Sequence, residues 1–142
     1  SEPRERWRRA VRELGIEAPE KLLWPVEGGS FGRGLGDRHE GVDIGAEDGA
    51  PIRSVADGLV AYADNGVRGY GNLLIVIHGG AHVSVYAHCS AVYVFPGQRV
   101  RAGQHVADLG ETGLARGEHL HFEWRRWGRV TDPLPRFGRW WE

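Results

Sequence analysis

A chain of 142 residues suits one domain with a single core, and its 18 basic and 19 acidic residues leave a formal net charge of −1. That balance supplies no field to draw in nucleic acid or an anionic membrane, and no apolar run approaches the roughly 18 residues a spanning helix needs. Cys89 is the single cysteine, which excludes an internal disulfide and leaves the redox compartment open.

The chain begins at Ser1 and contains no methionine, so it is read as a processed or trimmed form whose export signal would already be gone. Residues 1–18 are expected to be helical. Ser1 is a cap, Pro3 sits in the first turn where proline is tolerated, and Trp7, Val11 and Leu14 recur at helical spacing before Gly15 stops the run. Arg4, Arg8, Arg9 and Arg12 form a solvated face diluted by glutamates. The division expected is an N-terminal helical segment at 1–21, followed by the domain that carries the chemistry at 22–142.

From Leu22 onward the texture is β. GLVAYA, LLIVIH, VSVYAH and HLHFEW are short, rich in β-branched and aromatic residues, and bounded by some of the chain's 22 glycines. In HVSVYAHC, strict alternation predicts His82, Ser84, Tyr86 and His88 on one face and Val83, Val85, Ala87 and Cys89 on the other. Cys89 is then a small core residue rather than a nucleophile. Two glycine-rich stretches, residues 27–41 and 64–72, are expected to be loops that wall a binding groove. VFPGQRVRAGQHVADLG resembles the strand-turn-strand of lipoyl and biotinyl carriers. Such carriers need a lysine at the hairpin tip, and Lys21 is the only lysine, so only the local structure is expected to survive.

Seven histidines, no GxSxG and no CxxC point toward metal chemistry through imidazole and carboxylate. In RHEGVDIGA, His39 and Asp43 stand four apart across Gly41, a spacing that reads as a turn into a strand, and alone it is weak evidence for a site. In GEHLHFEW, His119, His121 and Glu123 share one strand face while Leu120, Phe122 and Trp124 share the other. Spacing alone does not separate the roles of the two histidines.

Taken in order, GDRHEGVDIGA, GYGNLLIVIHGG, VYAHCS, VRAGQHVADLGETG and GEHLHFEW resemble the successive signatures of the lysostaphin/LytM family of zinc metalloendopeptidases (peptidase family M twenty-three). The likeness runs from about Leu22 to Pro135. It implies a mainly β fold, a compact antiparallel sheet with a loop-walled groove, to which this chain adds a short N-terminal helix. It implies zinc, one per chain, held by His39, Asp43 and His121, with His88 and His119 as catalytic histidines that do not bind metal. It also implies a bacterial peptidoglycan peptide as substrate, an extracytoplasmic location (periplasm, cell wall or secreted), and action as a monomer. Three protein ligands leave a position for water, and the residual positive charge acidifies that water and steadies an anionic intermediate.

Around that set, Tyr86, Asn72 and Arg68 are candidate substrate contacts and Glu123 a candidate support for His119 or His121. Arg33, Arg38 and Arg116 lie near the expected groove, where they could meet carboxylates of a stem peptide. His78, His82 and His105 read as structural or exposed. Trp124, Trp127, Trp140 and Trp141 read as core plus a tail clamp. The departures from the family pattern are YAHC for YAHL and Glu118 where proline is frequent, and neither touches a ligand. A non-catalytic wall-binding or hydrolase-activating module is the first rival, although such members typically lose ligands that are all present here. A non-haem iron oxygenase is the second, since it shares two histidines and a carboxylate but has no use for two further imidazoles.

Overall fold

The computed structural model describes residues 2–113 and 118–138. Ser1, Arg116, Trp140 and Trp141, to which the sequence gives roles, lie outside the described residues.

Helix α1 runs over Glu2–Glu13, shorter than the helix expected over 1–18. It ends in a glycine cap: Gly15 takes φ 68°, its N–H donates to Arg12 O, and Ile16 N–H reaches back to Val11 O at 3.0 Å. These two hydrogen bonds satisfy carbonyls that the last turn leaves open, and glycine adopts the left-handed conformation without a Cβ clash. Val11 and Ile16, which flank the cap, are buried. The arginine face is exposed, as expected.

The strands are β1 (Ser30–Arg33), β2 (Val42–Gly45), β3 (Pro51–Arg53), β4 (Gly58–Asp64), β5 (Asn72–Ile77), β6 (His82–Val92), β7 (Arg99–Val100), β8 (His105–Leu109), β9 (His119–Arg126) and β10 (Arg129–Thr131). They form one sheet along the path β1-β2-β9-β6-β5-β4-β7, with β10 on β9 and β8 joining β3 to β6. The paired strands run antiparallel. The mainly β fold expected from the sequence is therefore the fold observed. One expectation shifts: the first glycine-rich stretch is not all loop, because Ser30–Arg33 pairs with β2. The carrier-like run does form strand-turn-strand, as β7 and β8.

The sheet separates two apolar clusters. Leu120, Phe122 and Trp124 of β9 join Tyr86, Leu74, Val76 and Ile44 on one side. Val83, Val85 and Ala87 join Leu73, Ile77, Val11 and Ile16 on the other, with Trp7 of α1 packed against them. On β9, His121 and Glu123 alternate with the first group and pair directly with Ala87 and Val85. The face that carries the histidines of β9 is thus the face that α1 partly covers, and Tyr86 lies beneath it.

Candidate metal centre

Four segments meet at one end of this face. The 34–41 loop brings His39, β2 brings Asp43, and β9 brings His119 and His121 in register with it, Asp43 opposite His121 and Gly45 opposite His119. The end of β6 brings His88. Gly41 makes the approach possible: a Cβ there would stand 2.5 Å from Phe122 O and 2.8 Å from His121 Cε1, closer than any side chain allows.

His39, Asp43 and His121 place one ligand atom each within 4.8 Å of one another. His39 Nε2 lies 3.0 Å from Asp43 Oδ2, and His121 Nδ1 lies 3.0 Å from Asp43 Oδ1. The far nitrogen of each ring is anchored. His39 Nδ1 is 2.8 Å from Gly34 O, and a carbonyl only accepts, so that nitrogen carries the hydrogen and leaves Nε2 for a metal. His121 Nε2 donates to Glu123 Oε2 at 2.8 Å, which leaves Nδ1 as its ligand atom. An imidazole fixed by an acceptor behind it is the usual state of a metal-ligating histidine. Two nitrogens and one carboxylate oxygen, all half-buried, fit zinc.

The site's two carboxylates, Asp43 and Glu123, are held ionised by their neighbours. Burial acts to raise the Asp43 carboxyl, but the His121 hydrogen bond and the nearby His39 and His119 hold it below its ordinary value. Burial acts to lower His121, yet its bonds to Asp43 and Glu123 override this and lift it to about 9. Glu123 is 1% exposed; against the upward push of burial, His121 and Arg125 keep it an ionised carboxylate.

His88 and His119 stand beside this trio, with ring centroids 5.2 Å apart and His88 6.0 Å from His121. His119 Nε2 is 3.8 Å from Asp43 Oδ1. Alternation had put His88 on the face of Tyr86. The structure corrects this: His88 takes φ 64° where the β5–β6 register shifts, between the pairs of Asn72 and Leu74. That left-handed residue swings the ring to the other face and returns Cys89 to the core cluster with Tyr86. The ring is then held by Nδ1–H donating to Thr112 O at 2.7 Å. Burial, first, and the neighbouring histidines hold His88 below its ordinary pKa, against the Thr112 carbonyl.

The other candidates divide. Tyr86 is fully buried on the opposite face, and its oxygen accepts from Val55 N–H at 3.0 Å, so it is not brought to the site. The Asn72 amide donates to Cys89 O at 2.9 Å and secures the end of β6 rather than facing the pocket. Arg68 and Arg38 do line the cavity of about 390 Å3 that contains His39, His88, His121 and Glu123. Both expected walls are present there, Asp37 to Glu40 on one side and Arg68 to Tyr70 on the other. Glu118 accepts from Asp48 N–H and is not among the residues that line this cavity. His78 is buried between Asp57 O and Ser84 Oγ, His82 stacks on Trp124, and His105 pairs with Asp108. Cys89 is buried and its thiol is pushed up to about 12, chiefly by burial, as an inert core residue would be.

Sequence reading missed Thr112, Tyr70 and Arg125. Tyr70 O–H donates to the same Glu123 oxygen that His121 uses, at 3.0 Å, and Tyr70 O accepts from His88 N–H. Thr112 Oγ1 accepts from Asn72 N–H and donates to Cys89 O. GYGN and ETG, glycine-flanked and polar, hinted at Tyr70 and Thr112, and nothing local hinted at Arg125.

Comparison with known proteins adds to this geometry. A sequence model described as Peptidase family M23 matches residues 37–133. The murein hydrolase activator NlpD of Escherichia coli strain K12 is 43% identical over 114 residues, which is 78% of this chain and 30% of that protein. The chain therefore spans less than a third of that relative's length. The catalytic domain of the antimicrobial peptidase lysostaphin from Staphylococcus simulans superposes with a TM-score of 0.70 at 30% identity, covering 77% of this chain and 92% of that one. A zinc-containing peptidase from Vibrio cholerae superposes with a TM-score of 0.74 at 29% identity, covering 81% of this chain and 40% of that one.

Proposed function

The chain belongs to peptidase family M23, and from that premise we propose that it is a zinc-dependent endopeptidase that hydrolyses a peptide bond of bacterial peptidoglycan outside the cytoplasm. One observation carries the reading: His39, Asp43 and His121 converge within ligand distance of one another, with His88 and His119 beside them, their rings tilted at 59°. Three of these five side chains, His39, His88 and His121, line one cavity, a grouping that hydrolysis uses and binding alone does not require.

His39 Nε2, Asp43 and His121 Nδ1 would hold the zinc, which when bound would supply Lewis acidity to polarise a scissile carbonyl and acidify a water. The remaining roles belong to the chain. Because His88 Nδ1–H is committed to Thr112 O, its Nε2 carries the lone pair and is the atom that takes up a proton. His88 is held below its ordinary pKa, so it is neutral and ready to accept at neutral pH. His119, next to His88 and 3.8 Å from Asp43 Oδ1, would offer a hydrogen bond to the oxygen on which negative charge develops. Arg38 and Arg68, which line the cavity, would meet a carboxylate of the peptide.

A second reading has its own support: the Escherichia coli relative is named a murein hydrolase activator. Under it the chain docks on another hydrolase or on the wall and cleaves nothing. Digestion of purified peptidoglycan from several bacteria, with and without chelator and read by mass spectrometry, separates the two. New peptide ends that vanish with chelator support the endopeptidase. No cleavage of any wall, combined with chelator-insensitive stimulation of an added murein hydrolase, supports the activator.

A further inference from the structure

Glu123 is nearly sealed from solvent and holds three donors. Oε2 takes His121 Nε2 at 2.8 Å and Tyr70 O–H at 3.0 Å, and Oε1 takes Arg125 Nε at 2.6 Å. Arg125 goes on to use its other nitrogens elsewhere. Nη2 donates to Glu40 Oε2 at 2.9 Å and Nη1 to Gly128 O at 3.2 Å. Glu40 follows His39 directly in the chain. A continuous run of bonds therefore leads from His121 through Glu123, Arg125 and Glu40 to the loop that carries His39.

We propose that Arg125 is a positioning residue that clasps the His39 loop to the strand carrying His121, and so sets the separation of the two imidazoles that hold the metal. This rests on the metal-centre reading above. The two ligands come from segments 82 residues apart in sequence, and Arg125 is the side chain that binds both. A guanidinium fits the task because its planar fork addresses Glu123, Glu40 and the Gly128 carbonyl in different directions, which a single ammonium cannot do. Without it, Glu123 Oε1 is a buried acceptor with no donor, and the carboxylate is free to turn away from His121. The Glu40 contact is solvent-exposed and contributes less.

The test measures zinc affinity and release by chelator competition on the full chain, for wild type, Arg125→Lys and Glu40→Gln, with the unfolding midpoint of each metal-free protein as a control. Arg125→Lys is expected to weaken zinc binding about ten- to a hundredfold, the range seen when a partner behind a ligand is lost. Glu40→Gln is expected to weaken it about two- to fivefold, the size an exposed ion pair allows. The cobalt-substituted Arg125→Lys protein should show a shifted ligand-field absorption, which a change in stability alone would not move. Wild-type affinity in both variants overturns the clasp, and a loss in Arg125→Lys with none in Glu40→Gln overturns the bridge to the His39 loop. A wild-type chain that binds zinc but cleaves no wall leaves this test intact and defeats only the endopeptidase reading. A wild-type chain that takes up no zinc overturns both.

Discussion

His88 and Thr112 are joined by a 2.7 Å hydrogen bond from the imidazole Nδ1–H to the backbone carbonyl, and the left-handed φ of 64° at His88 turns the ring toward it. A β-carbon at such a φ is strained by about 1–3 kcal/mol, a cost tolerated where function needs it. His88→Gly should therefore be more stable than His88→Ala by about 1 kcal/mol, since both lose the imidazole but only glycine relieves the backbone. Both should retain metal and lose hydrolysis by about 10²- to 10⁴-fold. Equal unfolding free energies for the two variants would mean that the backbone there is not strained.

The two histidines of HLH are expected to separate cleanly. His121→Ala or Asp43→Ala should abolish metal uptake, measured as zinc per chain after dialysis. His119→Ala should keep the metal and lose cleavage. Zinc stripped by His119→Ala would reverse the division of roles.

Metal uptake should release a proton. In the metal-free chain His121 is raised to about 9 between Asp43 and Glu123, so at neutral pH its Nδ1 carries a hydrogen that a cation must displace. Apparent zinc affinity should rise with pH by about tenfold per unit below that value and level off above it. Calorimetry at pH 7 in buffers of different ionisation enthalpy should report about one proton released per zinc. No buffer dependence would show that His121 is neutral before metal arrives.

Stability should fall on acidification through a residue far from the chemistry. His78 is buried, and burial lowers it from 6.5 to about 4 against the raising effect of the Asp57 carbonyl. Between those values the unfolded chain binds the proton and the folded chain does not, so each step down in pH favours unfolding. The contribution is fully present above about pH 6.5 and lost by about pH 4, roughly 3 kcal/mol in all. Urea unfolding of the metal-free protein across that window should show the decline, and His78→Gln should flatten it. An equal decline in the variant would place the effect on other groups.

Much of the site was legible because strand periodicity is local. His119, His121 and Glu123 stand on one face of β9 for the same reason that Leu120, Phe122 and Trp124 stand on the other, and nothing distant alters that. The walls of the cavity were legible from glycine-rich stretches; Cys89 is a core residue as expected, but on the face of Tyr86 rather than of Val83, Val85 and Ala87. The helix ends at Glu13 rather than near residue 18, because the Gly15 stop closes the last turn directly on Arg12 and Val11.

The failures share one cause. Tyr86 and His88 were assigned a common face by counting twos through β6, and the count breaks at a residue whose φ is set by the register with β5. Nothing local marks Arg125, since its partner Glu40 lies 85 residues away in sequence and is brought to it only by folding. By itself the sequence determined which residue types were available and which neighbours along a strand share a face, because those follow from backbone geometry over two or three residues. Only the tertiary structure decided which histidine crosses the sheet and which arginine ties the ligand segments together. Those outcomes depend on the register between strands far apart in the chain, and register is settled by the packing of the whole sheet.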